Sequence, residues 1–163
     1  MELRQARSAD LGRLTEIYNH YVSTSHATFD VEPFSVSERA DWFARFDGAR
    51  YQCWVAESGG QVAGYACSTP FKQKSAYQTS VELSIYLAAD HHARGIGRAL
   101  YEALLPGLRE QDLHRAYAGV AQPNEASMRL HRSFGFTPAA HYSEVGRKFD
   151  RYWDVVWLEL ALG

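Results

Sequence analysis

The sequence has 163 residues, enough for one domain whose core needs no disulfide or metal staple. Hydrophobic residues make up 46% and charged residues 22%, with 12 Gly and 5 Pro, which excludes disorder, collagen and coiled coil as descriptions of the whole chain. The net charge is −2, with the acidic excess before residue 60 and a slight basic excess after it; this is no nucleic-acid footprint, but it leaves room for a local basic pocket for a small anion.

No run of 18 apolar residues exists, so nothing is expected to cross or bind a membrane. The opening MELRQARSADLGRL lacks the apolar stretch of a secretory signal, and a cytoplasmic location is expected. Cys53 and Cys67 have neither zinc nor redox spacing and read as reduced, buried thiols. No repeat, low-complexity tract or linker divides the chain, so residues 1–163 are expected to form a single domain.

In chain order, residues 3–6 read as a short strand. Leu11, Leu14, Ile17, Tyr18 and Tyr21 recur at helical spacing and predict a helix over 10–22, capped by Ser8 or Asp10. A polar loop over 23–33 holds Thr28 and Phe29. Ser35-Val36-Ser37-Glu38 is a capping-box pattern opening a second helix, with Trp42, Phe43 and Phe46 on its apolar side. Residues 53–57 and 61–68, joined by Ser58-Gly59-Gly60, predict a β-hairpin. Loop 70–78 carries two lysines. Residues 80–87 alternate, with Val81, Leu83, Ile85 and Leu87 facing one way and Glu82, Ser84 and Tyr86 the other. A helix follows over about 95–104, ended or kinked by Pro106. A strand over 115–121, a break at Pro123-Asn124, a helix over 125–134 closed by Gly135, and two antiparallel strands over 142–149 and 154–160 complete the chain. The order β-αα-βββ-α-β-α-ββ implies an α/β (α+β) class with one mixed sheet and helices on both faces.

Four places can carry chemistry. His92-Ala93-Arg94-Gly95-Ile96-Gly97-Arg98 follows a strand and opens a helix, where free N–H groups and the positive end of the dipole receive an anion; a glycine-rich helix start is also an ordinary steric solution. It is neither a Walker loop nor a good dinucleotide fingerprint. Asn124 stands at a cap, and Ser127 and His131, four apart, share one helix face; the plain alternative is a cap and a surface histidine. Glu82 sits mid-strand among polar neighbours, where a carboxylate is costly to bury unless it faces a cleft or an open edge. Lys72 and Lys74, flanked by Phe71 and Tyr77, could clamp a substrate carboxylate, although taken alone a solvated loop is the favoured reading. Asp90-His91-His92 is not a metal box, because adjacent side chains rarely converge, so no metal is expected.

Taken in order, a Glu-bearing strand, a Gly-rich helix start, a strand and an Asn-x-x-Ser-x-x-x-His helix resemble the GCN5-related N-acetyltransferases (GNAT). Their pyrophosphate loop has the form Gln/Arg-x-x-Gly-x-Gly/Ala, matched by residues 92–97 with His92 in the first place. Within that superfamily the chain is similar to the phosphinothricin and methionine sulfoximine acetyltransferases. The similarity rests on Ile17 to Val22, Ala27-Thr28-Phe29, Val62 to Ala66, Pro70 to Tyr77, Val81 to Leu87, Pro123 to His131, Gly135-Phe136 and Val145 to Phe149. Lys74 stands where that family commonly has arginine, and Asp150 and Tyr152 replace a glycine and a tryptophan near the end.

The resemblance implies a GNAT fold: a single mixed, mostly antiparallel sheet of about seven strands, splayed between the fourth and fifth. It implies acetyl-CoA as co-substrate, a small-molecule amino-acid acceptor and a homodimer. Cofactor contacts fall on Ile85, Tyr86, Leu87, Ala93, Arg94, Gly95, Ile96, Gly97, Arg98, Asn124 and Ser133. Acceptor contacts fall on Thr28, Phe29, Lys72, Lys74, Ser75, Ala76, Tyr77 and Lys148. Glu82 is implied as general base in a direct transfer, with His131 or Ser127 protonating the leaving thiolate, or His131 joining Glu82 in a relay. A GNAT enzyme acting on a peptide or protein amine, a non-catalytic acyl-CoA binder and a nucleotide module are the competing readings.

Overall fold

The computed structural model describes residues 1–92 and 94–163. Seven strands, β1 Glu2–Gln5, β2 Cys53–Ser58, β3 Gln61–Pro70, β4 Ser80–Leu87, β5 Arg115–Ala121, β6 Thr137–Lys148 and β7 Arg151–Ala161, form one sheet in the order β1-β2-β3-β4-β5-β7-β6. Four helices accompany it: α1 Leu11–Thr24, α2 Ala40–Ala44, α3 Ile96–Arg109 and α4 Glu125–Ser133. Every neighbouring pair of strands is antiparallel except β4 with β5. The mixed, mostly antiparallel seven-stranded sheet expected from sequence is therefore what forms.

Alternation along the strands builds two cores. Leu14 and Ile17 of α1 meet Cys53, Val55, Tyr65 and Cys67 on one face. Leu100, Leu104 and Leu108 of α3 meet Ala56, Ala66, Val81 and Leu83 on the other, joined there by Met128 of α4. Residues one apart in β2 and β3 thus serve opposite faces, which is the period-two geometry of a strand covered on both sides.

Three elements depart from expectation. Helix α3 runs three residues past Pro106. Leu104, Leu105 and Leu108, none more than 3% exposed, fasten both sides of the proline to the sheet, and that burial outweighs one missing helical bond. Strand β6 begins at Thr137 because Thr137 and Pro138 pair with Glu159 and Leu158. Pro138 is tolerated there because β6 is an edge strand. Helix α2 is only five residues long, although the capping box forms: Ser35 N–H donates to Glu38 Oε2 at 2.6 Å and Glu38 N–H to Ser35 Oγ at 3.2 Å.

Leu108→Ala should leave a void against the sheet and lower the unfolding free energy by about 2–5 kcal/mol, read from urea denaturation. A loss below about 1 kcal/mol would place the end of α3 outside the folding core.

Candidate active site

β4 and β5 pair only at Ser80–Arg115, Val81–Ala116 and Glu82–Tyr117. Beyond Glu82 the strands part, and a cavity of about 340 Å³ opens between them, lined by Leu83 to Leu87 on one side and Ala118 to Ala121 on the other. Ala88 N–H donates to Ala63 O of β3 at 2.8 Å. Strand alternation then turns the backbone of even-numbered β4 residues toward β3 and that of Leu83, Ile85 and Leu87 into the gap. Of the three residues expected to offer backbone to a cofactor, Ile85 and Leu87 turn theirs toward the gap. Tyr86 is a correction: its backbone faces Tyr65 of β3, and only its side chain remains for the cavity. The Leu87 carbonyl already accepts the Tyr21 hydroxyl, which His92 Nε2 meets at 3.0 Å.

The start of α3 closes one end of this cavity. Gly95 takes φ +74°, a left-handed turn that a side chain would strain, and it delivers the chain into the helix. The first intrahelical bond runs from Ala99 N–H to Gly95 O at 3.1 Å, leaving the amides of Ile96, Gly97 and Arg98 free at the positive end of the dipole. Gly95, Ile96, Gly97 and Arg98 all line the cavity. Arg94 is exposed and does not, and Ala93 lies outside the described residues. Free amides at one end and free strand backbone along the side suit a diphosphate joined to an amide-bearing arm, so the donor set fits coenzyme A.

Helix α4 closes the other side. Asn124 Oδ1 accepts Ser127 N–H at 3.2 Å as the cap, so only its amide NH2 is left for a ligand. Ser127 and His131 line the cavity as their spacing foretold, but His131 is not poised as an acid. It is 2% exposed. Its Nδ1 lies 2.8 Å from the Ser127 carbonyl, which can only accept, so Nδ1 carries the proton and Nε2 accepts the Tyr101 hydroxyl at 2.8 Å. Burial pushes its pKa below the usual histidine range. A neutral ring with both nitrogens engaged has no proton to give at neutral pH, and no hydrogen bond joins it to Glu82 among the described residues. Ser133, expected at the cofactor, is exposed and donates to Leu130 O at 2.7 Å within its own helix.

The remaining candidates lie on the α1 face of the sheet. Glu82 sits at the apex of the parting strands, where burial alone raises its pKa, with no hydrogen bond or charged neighbour contributing. Thr28 is buried, with Oγ1 2.7 Å from the Tyr18 hydroxyl, which also donates to Asp30. Phe29 is partly exposed, and its ring occupies the space that a side chain at Gly146 of β6 would fill. Lys72, Lys74, Ser75, Ala76 and Tyr77 are exposed on one loop, with the Lys72 ammonium 5.4 Å from the Tyr77 ring centre. Lys148 is a correction. It is 4% exposed, and its ammonium donates to the carbonyls of Tyr21, Ser25 and Thr28 at 3.3, 2.6 and 2.8 Å. All three protons are engaged in closing the C-terminal end of α1, leaving none for an acceptor.

Sequence reasoning missed Tyr21 as a cavity residue, since it reads as one more apolar position on its helix. It also missed Arg39, which is 7% exposed with its guanidinium 4.4 and 3.8 Å from the Tyr18 and Trp42 ring centres. The two cysteines are inert as expected: they face each other across β2 and β3, and burial pushes the Cys67 thiol up to about 12.

The profile of the Acetyltransferase (GNAT) family matches residues 14–136. A phosphinothricin N-acetyltransferase of Streptomyces coelicolor is 48% identical over 165 residues, covering 99% of this chain and 96% of its own. An L-methionine sulfoximine/L-methionine sulfone acetyltransferase of Salmonella typhimurium is 35% identical, covering 99% of this chain and 95% of its own. The crystal structure of a GNAT phosphinothricin acetyltransferase from Sinorhizobium meliloti in complex with acetyl-CoA superposes with a TM-score of 0.94 at 34% identity, covering 99% of this chain and 88% of that one.

Lys148→Met should leave three carbonyls without their donor and lower stability by about 3 kcal/mol, measured by urea unfolding. Unchanged stability with a raised acceptor KM would instead return Lys148 to the substrate.

Proposed function

The chain belongs to the Acetyltransferase (GNAT) family and is an acetyl-CoA-dependent N-acetyltransferase; from that premise we propose that it acetylates the α-amine of a small amino acid or amino-acid analogue, with Glu82 as general base. The observation that carries this reading is the position of Glu82. It is the last residue of β4 paired to β5, next to Leu83 where the cavity lining begins, and its carboxylate is half-buried with no hydrogen-bond partner among the described residues.

Bound in the cavity, acetyl-CoA supplies an activated acetyl group. The amides of Ile96, Gly97 and Arg98 would hold its diphosphate, the Ile85 backbone would pair with its arm, and the Asn124 amide would add a further donor. An acceptor amine is mostly protonated at neutral pH and unreactive until it loses that proton. Glu82, raised above the ordinary carboxylate range by burial, takes the proton directly or through water. The Leu87 N–H, free in the gap, donates to the developing charge on the acyl oxygen. A bond would form from the amine nitrogen to the acyl carbon as the carbon–sulfur bond breaks; the nitrogen's remaining surplus proton would go to the departing thiolate, which leaves as the free thiol, and the cavity-lining Ser127 hydroxyl would relay it. His131 holds Ser127 and Tyr101 in place, a positioning role.

Lys72 and Lys74 stand on the loop beside this apex, exposed and unpaired among the described residues, which suits the acceptor's carboxylate. The names of the relatives, phosphinothricin and methionine sulfoximine acetyltransferases, support an amino-acid analogue as acceptor. A homodimer is supported by Tyr142, Val145, Phe149 and Tyr152, each 50–57% exposed on the β6–β7 hairpin.

Turnover should rise with pH as Glu82 deprotonates, on a limb displaced upward from the usual carboxylate range, because burial disfavours its charged form. Glu82→Gln should lower kcat on the order of 10²- to 10⁴-fold near neutral pH and remove that limb, with acetyl-CoA affinity little changed. A Gln variant that retains both rate and pH profile would exclude Glu82 as the base.

A further inference from the structure

On the α1 face, Glu82 is in register with Tyr117 of β5, and Gly119, two residues on, is in register with Trp157 of β7. These residues share one side of the sheet, since paired positions point the same way. Helix α1 packs chiefly on β3 and β4. What covers this part of the sheet is aromatic. A Cβ at Gly119 would lie 3.0 Å from the Trp157 ring, so the glycine is what lets the indole lie flat across β5. Phe71, from the loop with the two lysines, stacks on Tyr117 at 4.4 Å and 19° and meets Trp157 edge-on at 5.8 Å and 78°. All three rings are half-buried and keep surface open to solvent. Gly119 also lines the cavity, so the ring platform is continuous with it.

We propose that Trp157, Phe71 and Tyr117 form the acceptor side-chain subsite and select a neutral amino acid with an unbranched apolar stem of about methionine's length. This rests on the reading of Glu82 as the base that receives the α-amine. With the amine at Glu82 and the carboxylate at Lys72 and Lys74, the third substituent of the α-carbon meets the rings beside Glu82. Thioether, sulfone and methylene groups pack on aromatic faces. The Glu159 carboxylate, in register with Tyr117 on the same side, opposes an anionic tail. Trp157 is therefore a specificity-determining residue, and Gly119 a positioning residue that acts through it.

The test measures kcat/KM by free-thiol release for L-methionine sulfone, L-phosphinothricin and the short L-2-aminobutyrate. The wild type should favour the sulfone over both. Trp157→Leu and Phe71→Ala should each cut the preference for sulfone over 2-aminobutyrate by on the order of tenfold, the scale of an apolar pocket contact, with the KM for acetyl-CoA within about twofold. Trp157→Phe should retain most of the preference. If Trp157→Leu fails to fold, Phe71→Ala on its loop carries the same comparison. Equal loss for both acceptors, or a wild type that favours phosphinothricin, overturns the subsite while leaving the enzyme's amino-acid activity standing. Dissociation of an oligomer with unchanged selectivity also overturns it, because the rings would then pack against a second copy. A wild type that acetylates no amino acid overturns the functional reading and the subsite together.

Discussion

The parting of β4 from β5 after three paired residues is the constraint on which the rest of this molecule depends. A parallel pair in the middle of a sheet normally continues for the length of its strands. Here it stops at Glu82 and Tyr117, leaving the inward backbone of Ile85 and Leu87 without a strand to bond. Buried backbone groups need partners, and an extended ligand arm with its own amides supplies them. The gap is kept open from both sides of the sheet. α1 and Tyr21 hold β4 on one face, while α3 and α4 pack on the other, where Tyr101 and His131 tie the two helices together.

The gap also divides the chemistry between the two faces. The α3 and α4 side offers free amides at a helix start, a capping asparagine and a serine. The α1 side offers Glu82, two lysines and a bed of aromatic rings. The apex, where strands last touch, is the one place where a group held in the gap and a group lying on the α1 face come together. The half-buried, unpartnered carboxylate belongs there, since its partial desolvation is costly unless proton transfer or a ligand relieves it.

Much of this was legible in the sequence wherever the signal is local. Alternation over 80–87 and 115–121 marks the two parted strands to the residue, and Asn124 with Gly135 brackets α4 almost as closely. The paired glycines at 95 and 97 announce the helix start. What was not legible depends on partners far away in the chain. Lys148 caps a helix more than 120 residues earlier, so no local pattern separates it from a substrate lysine. His131 looks catalytic on its helix face until Tyr101, 30 residues away, takes its second nitrogen. The splay itself is a failure to pair, and periodicity records which residues face the core, not where two strands diverge.

The central claim is that the unpaired β4 edge is completed by the acyl carrier. Amide hydrogen exchange of Ile85 and Leu87, followed by NMR with and without saturating acetyl-CoA, tests it most directly. Both amides should exchange rapidly in the free protein and at least tenfold more slowly in the complex, while the Tyr86 amide, already turned to β3, changes little. Unchanged exchange at Ile85 and Leu87 under saturation would contradict the account.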